Sequence, residues 1–392
     1  MKLSTRLDVI KPSSTMAVNS RVLELKAEGR SITGFAAGEP DFPTWPHVCE
    51  AAREAIRRGD FYYTAVGGTP ELKEAIAEKL ARDNGLEYSK AEVLASCGGK
   101  HVLYNAFQVT LSPGDEVLIP SPYWVSYSDM VALAGGVPRF VQTNEDSGFL
   151  LSPAELEEAM GESTRMVILN SPSNPTGAAY SEEAIDALGE VLERQRCWVL
   201  CDDVYEFIRY DGVRPRHLVD LRPSLRERTI IANSVSKTYA MTGWRVGYCA
   251  APTEVIRAMS TIQGQMTSNP TAIAQAAAAA ALSGPQDQLE PMVAEFKRRR
   301  DYVCERINAI EGLSLSVPGG AFYAFVNASG VFELTGARDG DELALKLLDS
   351  ASVGVVGGND FGSRAHFRIS YATSMEQLET GMDSIEGWLG SL

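Results

Sequence analysis

Short apolar runs and amphipathic stretches alternate along most of the chain. Four of the apolar runs have the length of a β-strand; they read DEVLIP, RMVILN, CWVLCDD and TIIANS, and they end at Pro120, Asn170, Asp203 and Ser234. Their apolar residues follow one another instead of alternating with polar ones, which is typical of strands buried on both faces of a parallel sheet. The pattern therefore predicts an α/β fold with a mostly parallel sheet.

The segments between these runs predict helices. In SEEAIDALGEVLERQ, Ser181 stands at the N-cap and Glu182 and Glu183 lie in the first turn, where the positive end of a helix favours carboxylates. HVCEAAREAIRRG and ELKEAIAEKLARDNG predict two further helices, and the alanine-rich run Ala272–Leu282 predicts a helix packed closely on its neighbours. The region up to about Trp45 is predicted to be rich in loops.

The length of 392 residues favours about two domains. After about residue 285 the pattern changes to a long charged helix, AEFKRRRDYVCERINAI, followed by GLSLSVPGGAFYAFV and a final strand–helix region. We predict a large domain over residues 46–285, a smaller α+β domain over 286–392, and an N-terminal segment, 1–45, associated with the small domain. Arg298, Arg299 and Arg300 are predicted to form a solvated face of the charged helix.

Composition narrows the function. No apolar run approaches the roughly 20 residues that a membrane span requires, and the start of the chain lacks the continuous apolar core of a secretory signal. We therefore expect no membrane partner and a cytoplasmic location. The net charge of −15 disfavours nucleic acid as a partner. The six cysteines show no CxxC spacing and the four histidines are scattered, so no metal site is predicted.

Polar side chains follow three successive predicted strands. These are Asn170 and Asn174, then Asp202, Asp203 and Tyr205, then Ser234, Ser236 and Lys237. Each residue type alone is common in turns, but ligands of parallel sheets bind at the carboxyl ends of the strands. The sequence therefore predicts an amide, a carboxylate, a phenol and an amine at one edge. Because burial readily lowers the pKa of a lysine, Lys237 is a candidate reacting amine.

A glycine pair precedes the apolar helix VLYNAF in SCGGKH, Ser96–His101. Such a pair exposes backbone N–H groups that bind phosphate, although an ordinary tight turn is equally compatible with it. Arg245 can add a guanidinium to the same phosphate. Pyridoxal phosphate needs all these groups together: an amine for its aldehyde, a carboxylate for its ring nitrogen, donors for its phenolic oxygen, and amides and a cation for its phosphate.

Seven motifs occur in order over nearly the whole chain: AAGEPDFPT, YTAVGGTPELKEAI, SPYWVSY, NSPSNPTG, DDVYE, SVSKTYAMTGWRVGY and FRISYAT. In these motifs the chain resembles the class I aminotransferases, pyridoxal-phosphate enzymes of fold type I, and most of all the bacterial and plastid branch of aspartate and prephenate aminotransferases. The resemblance implies a large domain whose mostly parallel sheet is sandwiched by helices, a smaller α+β domain, pyridoxal 5′-phosphate as cofactor, and a homodimer.

The resemblance assigns the cofactor residues. Lys237 is expected to bind the cofactor covalently and to move the substrate proton, with Asp202 beside the ring nitrogen. Asn174 and Tyr205 are expected to donate to the ring oxygen, and Trp124 to stack on the ring. Alternation along a strand lets only one of Asp202 and Asp203 face the cofactor. The match to the family motif favours Asp202, and Asp203 is expected to support the turn.

Further residues are assigned to the phosphate and to the partner subunit. The phosphate-binding positions are matched by Gly98, Gly99, Ser234 and Arg245. Lys100, the residue after Gly99, is also expected to bind the cofactor. Tyr63 matches the tyrosine that reaches the phosphate of the neighbouring subunit, which implies composite active sites. His101, Tyr123 and Tyr127 are expected to be structural or packing residues.

The resemblance also predicts how substrate binds. Arg368 matches the arginine that grips the α-carboxylate, with Gly38 contacting that group through its backbone and Trp124 and Asn174 nearby. In this branch Lys100 and Thr15 help to recognise a distal carboxylate, which favours aspartate or glutamate with oxaloacetate or 2-oxoglutarate.

Two departures from the family pattern leave other substrates open. Trp45 stands where a proline is common, and residues Val355–Gly362 read VVGGNDFG in place of VVPGSAFG. An aromatic amino acid or prephenate therefore stays an alternative, as does the chemistry of a β-lyase or a cyclopropane-forming synthase. Transcription regulators of the same fold carry an N-terminal DNA-binding extension, whereas only about 30 residues precede the first motif here, and the charge also disfavours that function.

Overall fold

The computed structural model describes residues 3–12, 14–213 and 215–392, without the side chains of residues 14 and 15. Its α-helices are α1 (Ser14–Ala27), α2 (Pro46–Arg58), α3 (Pro70–Asn84), α4 (Gly99–Thr110), α5 (Ser126–Leu133), α6 (Pro153–Ala159), α7 (Glu182–Glu193), α8 (Leu218–Leu221), α9 (Thr253–Met266), α10 (Ala272–Ser283), α11 (Leu289–Ala309), α12 (Phe332–Thr335), α13 (Gly340–Ser350) and α14 (Met375–Leu389). Its strands are β1 (Thr33–Gly34), β2 (Val93–Ser96), β3 (Glu116–Ser121), β4 (Val137–Gln142), β5 (Thr164–Asn170), β6 (Trp198–Asp202), β7 (Thr229–Ser234), β8 (Gly247–Ala250), β9 (Tyr323–Asn327), β10 (Val353–Gly354), β11 (Val356–Gly357) and β12 (His366–Ser370).

Within the described residues, seven strands form the larger sheet in the order β2-β8-β7-β6-β5-β3-β4. Strand β8 runs antiparallel to both of its neighbours, and the other strands pair in parallel. The four apolar runs of the sequence correspond to β3, β5, β6 and β7, which lie side by side inside the sheet. The predicted α/β fold with a mostly parallel sheet is therefore confirmed.

Helices cover both faces of this sheet, which explains why its strands are apolar without alternation. Ile119 of β3 packs in one cluster with Phe107 of α4, while its neighbour Leu118 packs in another with Leu188 of α7. Helix α7 begins as predicted, because the Ser181 hydroxyl accepts from the Ala184 N–H over 3.2 Å. The alanine-rich helix α10 packs closely against α2 and α3, also as predicted.

A smaller antiparallel sheet, in the order β11-β12-β9, is packed with α11, α13 and α14. The N-terminal segment contacts this part of the molecule: Thr33 and Gly34 of β1 pair with β10, and Asp41 accepts from Arg299 of α11 over 2.7 Å. The predicted association of residues 1–45 with the small domain and the domain limits at 45 and 285 stay predictions. No helix among the described residues is long and apolar enough to cross a bilayer.

The prediction of loops up to Trp45 is wrong over α1. Val22 and Leu25 are buried, and Val18 packs beside them. These three positions form a narrow apolar stripe at helical spacing, which is a weak signal in a helix whose other residues are mostly polar or small.

The prediction that three consecutive arginines form a solvated face holds only for Arg298. The Arg299 side chain is 7% exposed and pairs with Asp41 and Glu295. Arg300 lies 4.7 Å from the centre of the Tyr210 ring. Buried guanidinium groups are tolerated where carboxylates and aromatic rings surround them, and two of these partners, Asp41 and Tyr210, come from distant parts of the chain.

Candidate active site

A cavity of about 440 Å³ lies at the carboxyl ends of β5, β6 and β7. Most of the predicted site residues line it: Gly38, Gly99, Lys100, Trp124, Asn174, Asp202, Tyr205, Ser234, Lys237, Arg245 and Arg368. The lining also includes Asn170, Ser236 and Tyr323. The strand-end residues therefore meet at one place, together with residues of the smaller sheet.

Lys237 lies in the turn that follows β7. Its ammonium donates to the backbone oxygen of Gly38. Burial lowers the pKa of Lys237 to about 8, and repulsion from Arg368 and Arg245 acts in the same direction. An amine with this pKa is partly unprotonated near neutral pH, as a nucleophile or a base must be.

Asp202, the last residue of β6, is 6% exposed. The Tyr127 hydroxyl donates to its Oδ2 over 2.6 Å. Burial raises the pKa of Asp202 to about 6; the bond from Tyr127 opposes this rise and the charge of Asp203 adds to it. Asp203 points elsewhere, with its Oδ2 3.1 Å from His217 Nε2.

The role of Tyr127 as a packing residue only is therefore wrong. It is buried as expected, but its hydroxyl contacts the carboxylate of Asp202 at the bottom of the cavity. No local signal in the sequence marks this contact, because Asp202 lies 75 positions away along the chain.

One end of the cavity is built to receive an anion. Gly98 has φ +94°, and a Cβ on it would lie 2.3 Å from Nη2 of Arg245. The next residue, Gly99, begins the twelve-residue helix α4. The hydroxyls of Ser234 and Ser236 lie in the same wall. Free N–H groups of a helix start beside a guanidinium and hydroxyls form a site for phosphate.

Arg368 of β12 also lines the cavity and is 1% exposed. Its Nη1 donates to Asn174 Oδ1 over 2.9 Å and its Nη2 to the Ala36 oxygen over 3.0 Å. Its buried Nε has no partner among the described residues. Burial lowers the pKa of Arg368. The phenols of Tyr323 and Tyr205 favour the charged guanidinium and oppose that shift. A buried guanidinium with donors to spare suits a carboxylate ligand.

Aromatic residues complete the walls. Trp124 stands edge-on to Tyr127, with ring centres 5.3 Å apart, and the Lys100 ammonium lies 5.0 Å from the Trp124 ring centre. Partial burial, followed by repulsion from Arg245, lowers the pKa of Lys100. The hydroxyls of Tyr205 and Tyr323 are 2.7 Å apart. Tyr323 is not among the predicted site residues, because nothing in GGAFYAF distinguishes it from a core residue.

Two predicted site residues, Gly98 and Tyr63, are not in the cavity lining, although Gly98 directly precedes the lining residue Gly99. Tyr63 is 91% exposed on its own chain, and the side chain of Thr15 lies outside the described residues. Trp45 is 2% exposed and packs edge-on against Tyr239 in the core, so this departure from the family pattern does not touch the cavity. In Val355–Gly362 the Phe361 ring, which the family pattern shares, lies 5.1 Å from the guanidinium of Arg368, while the changed positions Gly357, Asn359 and Asp360 are not in the cavity lining.

Comparison with known proteins decides the family. Residues 30–385 match the family model of aminotransferase class I and II. The chain belongs to this family. An aspartate aminotransferase of Geobacillus stearothermophilus is 45% identical over 389 residues, 99% of each chain. An aspartate/prephenate aminotransferase of Cereibacter sphaeroides is 48% identical over 396 residues, 100% of this chain and 99% of the relative. The crystal structure of an aspartate aminotransferase from Rhizobium meliloti superposes with a TM-score of 0.95 at 45% identity, covering 100% of this chain and 99% of that one.

These comparisons confirm three predictions. The aminotransferase has the fold type I architecture, and it transfers an amino group between an amino acid and a 2-oxo acid. Enzymes of this type use pyridoxal 5′-phosphate. The cavity fits that cofactor, because it combines a lysine amine, a buried carboxylate and an anion site whose Gly98 leaves no room for a side chain.

Proposed function

We propose that the aminotransferase acts on acidic substrates, moving the α-amino group between aspartate or glutamate and oxaloacetate or 2-oxoglutarate. The observation that carries the proposal is one cavity lined together by the amine of Lys237, the carboxylate of Asp202 and the buried guanidinium of Arg368. The Lys237 amine suits a carbonyl carbon, the Asp202 carboxylate suits a ring nitrogen, and the Arg368 guanidinium suits a substrate carboxylate.

Lys237 has two proposed tasks. Pyridoxal phosphate, when bound, supplies a carbonyl carbon for an amine and a ring that delocalises the electrons left by a departing proton. When the cofactor is bound, the Lys237 amine would hold it covalently at the carbonyl carbon, with loss of water, until the incoming amino acid takes its place. Lys237 would then act as the base that takes the proton from the substrate Cα and as the acid that returns it to the carbon the lysine had occupied.

We infer the other cofactor roles from the residues that line the cavity. The carboxylate of Asp202, which accepts from Tyr127, would keep the ring nitrogen protonated, and Trp124 would stack on the ring. Asn174 and Tyr205 donate to the ring oxygen. The phosphate is bound by Ser234 with Gly98, Gly99 and Arg245. These roles stay proposals.

Arg368 is proposed to bind the substrate α-carboxylate, with the backbone of Gly38 nearby. Two of its five N–H groups are used by Asn174 and Ala36 among the described residues, so three remain for a two-point contact with a carboxylate. Such a contact fixes the Cα–H bond relative to Lys237, and orientation of this kind is a large part of the rate enhancement.

The acidic preference rests on Lys100. Its ammonium lies at the cavity wall beside Trp124, where a distal carboxylate can reach it; the matching role of Thr15 stays a prediction. The names of the relatives agree, and one similar structure, an aspartate aminotransferase from Thermus thermophilus with a TM-score of 0.93, was solved with maleate. Prephenate or an aromatic amino acid is the second candidate, because the relatives include aspartate/prephenate aminotransferases.

We also propose a homodimer with composite sites. Tyr63 is 91% exposed, and it follows Phe61 at 66% and Tyr62 at 85%. Adjacent exposed aromatic residues are typical of an interaction surface, which supports a second copy of the chain as the partner that receives Tyr63. A cytoplasmic location stays a prediction.

A substrate screen tests the proposal. Aspartate, glutamate, phenylalanine, tyrosine and prephenate are each paired with a suitable 2-oxo acid or amino donor, and the amino product is quantified. Aspartate with 2-oxoglutarate is expected to give equal amounts of glutamate and oxaloacetate. A wide preference for aromatic substrates or prephenate would overturn the acidic assignment, and release of ammonia without a matched amino product would indicate a lyase instead.

A further inference from the structure

A buried ion pair joins α3 to the turn after β6. Lys79 has no exposed surface, and its ammonium donates to Glu206, whose side chain is 10% exposed. Asn84, the last residue of α3, accepts from the same ammonium over 2.7 Å and donates to the second Glu206 oxygen over 2.8 Å. Neither charged residue lines the active-site cavity, so the pair does not belong to the site described above.

The Glu206 carboxylate also holds the end of β7. Its Oε1 accepts from Asn233 Nδ2 over 2.6 Å, and Asn233 Oδ1 accepts from the backbone N–H of Ser234 over 2.7 Å. A carboxylate only accepts and a peptide N–H only donates, so these partners allow one orientation of the buried Asn233 amide. The Ser234 hydroxyl in turn accepts from the backbone N–H of Ser236 over 2.9 Å.

This network ends at the anion site. Ser234 and Ser236 both line the cavity, and a Cβ on Gly99 would lie 3.4 Å from the Ser234 Cβ. A buried ion pair is seldom more stabilising than apolar residues of the same volume, so stability alone is a weak reason for it. The unbroken series of contacts that links α3, Glu206, Asn233 and Ser234 indicates a role in geometry.

We propose that Lys79, Glu206 and Asn233 are positioning residues that hold the end of β7 so that Ser234 and Ser236 present their hydroxyls to the cofactor phosphate. The inference rests on the proposed function, in which Ser234 binds that phosphate. Lys79 fixes the carboxylate, the carboxylate fixes the Asn233 amide, and the amide fixes the Ser234 peptide. None of the three positioning residues needs to touch the cofactor.

Two matched double variants separate this role from simple stabilisation. Lys79→Met with Glu206→Gln and Lys79→Met with Glu206→Met both remove the two charges, so neither leaves an unpaired charge in the core. Only glutamine keeps an acceptor for Asn233. The measurement is the affinity of the full-length apoprotein for pyridoxal phosphate and for pyridoxal, which lacks the phosphate. The ratio of the affinity for pyridoxal phosphate to the affinity for pyridoxal reports the contribution of the phosphate group alone.

The Glu206→Met double variant is expected to lower that ratio by about tenfold, the effect of one weakened hydrogen bond to a charged group, and the Glu206→Gln double variant to restore it to within about twofold. Asn233→Ala, which keeps the ion pair, is expected to lower the ratio as well. It gives an independent answer if the methionine variant does not fold.

Equal losses for both ligands, or an unchanged ratio in Asn233→Ala, would overturn the positioning role and leave a structural one. If the wild-type protein itself shows no preference for pyridoxal phosphate over pyridoxal, the phosphate assignment of the proposed function fails. The two failures are therefore distinguishable.

Discussion

The carboxylate of Asp202 should destabilise the cofactor-free protein. Burial raises its pKa from an ordinary value of 3.8 to about 6. The unfolded chain therefore loses this proton near pH 3.8 and the folded chain near pH 6, and stability falls as the pH rises through that window. Two pH units correspond to about 3 kcal/mol. Asp202→Asn keeps the shape and an acceptor for Tyr127 while removing the charge, so the variant apoprotein should be more stable by up to about 3 kcal/mol at pH 7.

The assay is thermal or denaturant unfolding of the two apoproteins between pH 4 and pH 8. For a chain of this length, about 3 kcal/mol corresponds to roughly 4 °C in Tm. The difference should shrink below pH 6 and approach zero near pH 4. Asp203→Asn is the matched control, since its carboxylate faces His217 and should not reproduce the pattern. A wild-type apoprotein as stable as Asp202→Asn at pH 7, or a difference that does not vary with pH, would refute the reasoning.

Three other results are expected. Tyr127→Phe removes the hydroxyl that donates to Asp202, so the proton-abstraction step, followed by stopped-flow absorbance, should slow by about tenfold; an unchanged rate assigns the hydroxyl to packing. Lys100→Ala should lower kcat/KM for aspartate and glutamate by roughly tenfold to a hundredfold and leave aromatic substrates nearly unchanged, whereas equal small effects on all substrates would mark Lys100 as a solvated side chain. Mixing inactive Tyr63→Ala and Lys237→Ala chains should restore one competent site per mixed dimer. If activity does not recover after verified subunit exchange, Tyr63 acts within its own subunit.

Local sequence signals predicted the strands and the clustering of candidate site residues. Runs such as TIIANS are readable because a strand covered on both faces needs apolar residues at every position. Asp202 and Lys237 follow such runs, and the parallel topology brings the strand ends to one edge. The clustering of these residues could therefore be predicted from short segments of the sequence.

Partners from distant parts of the chain were not predictable in this way. Tyr127 and Asp202 are 75 positions apart, and Arg299 and Asp41 are 258 apart. Whether a tyrosine only packs or also donates to a carboxylate, and whether an arginine is solvated or buried, is decided by these partners and not by the local pattern. Trp45 shows that an unusual residue near a family motif does not have to belong to the site, because its side chain packs in the core.

The central claim is that Lys237 is the reacting amine, and covalent trapping tests it most directly. The purified protein loaded with pyridoxal phosphate is treated with borohydride, digested, and analysed by mass spectrometry. The account predicts that the cofactor mass is fixed on the peptide containing Lys237, and that Lys237→Ala binds cofactor without covalent fixation and loses turnover by several orders of magnitude. Fixation on another lysine, or full turnover in Lys237→Ala, would contradict the account.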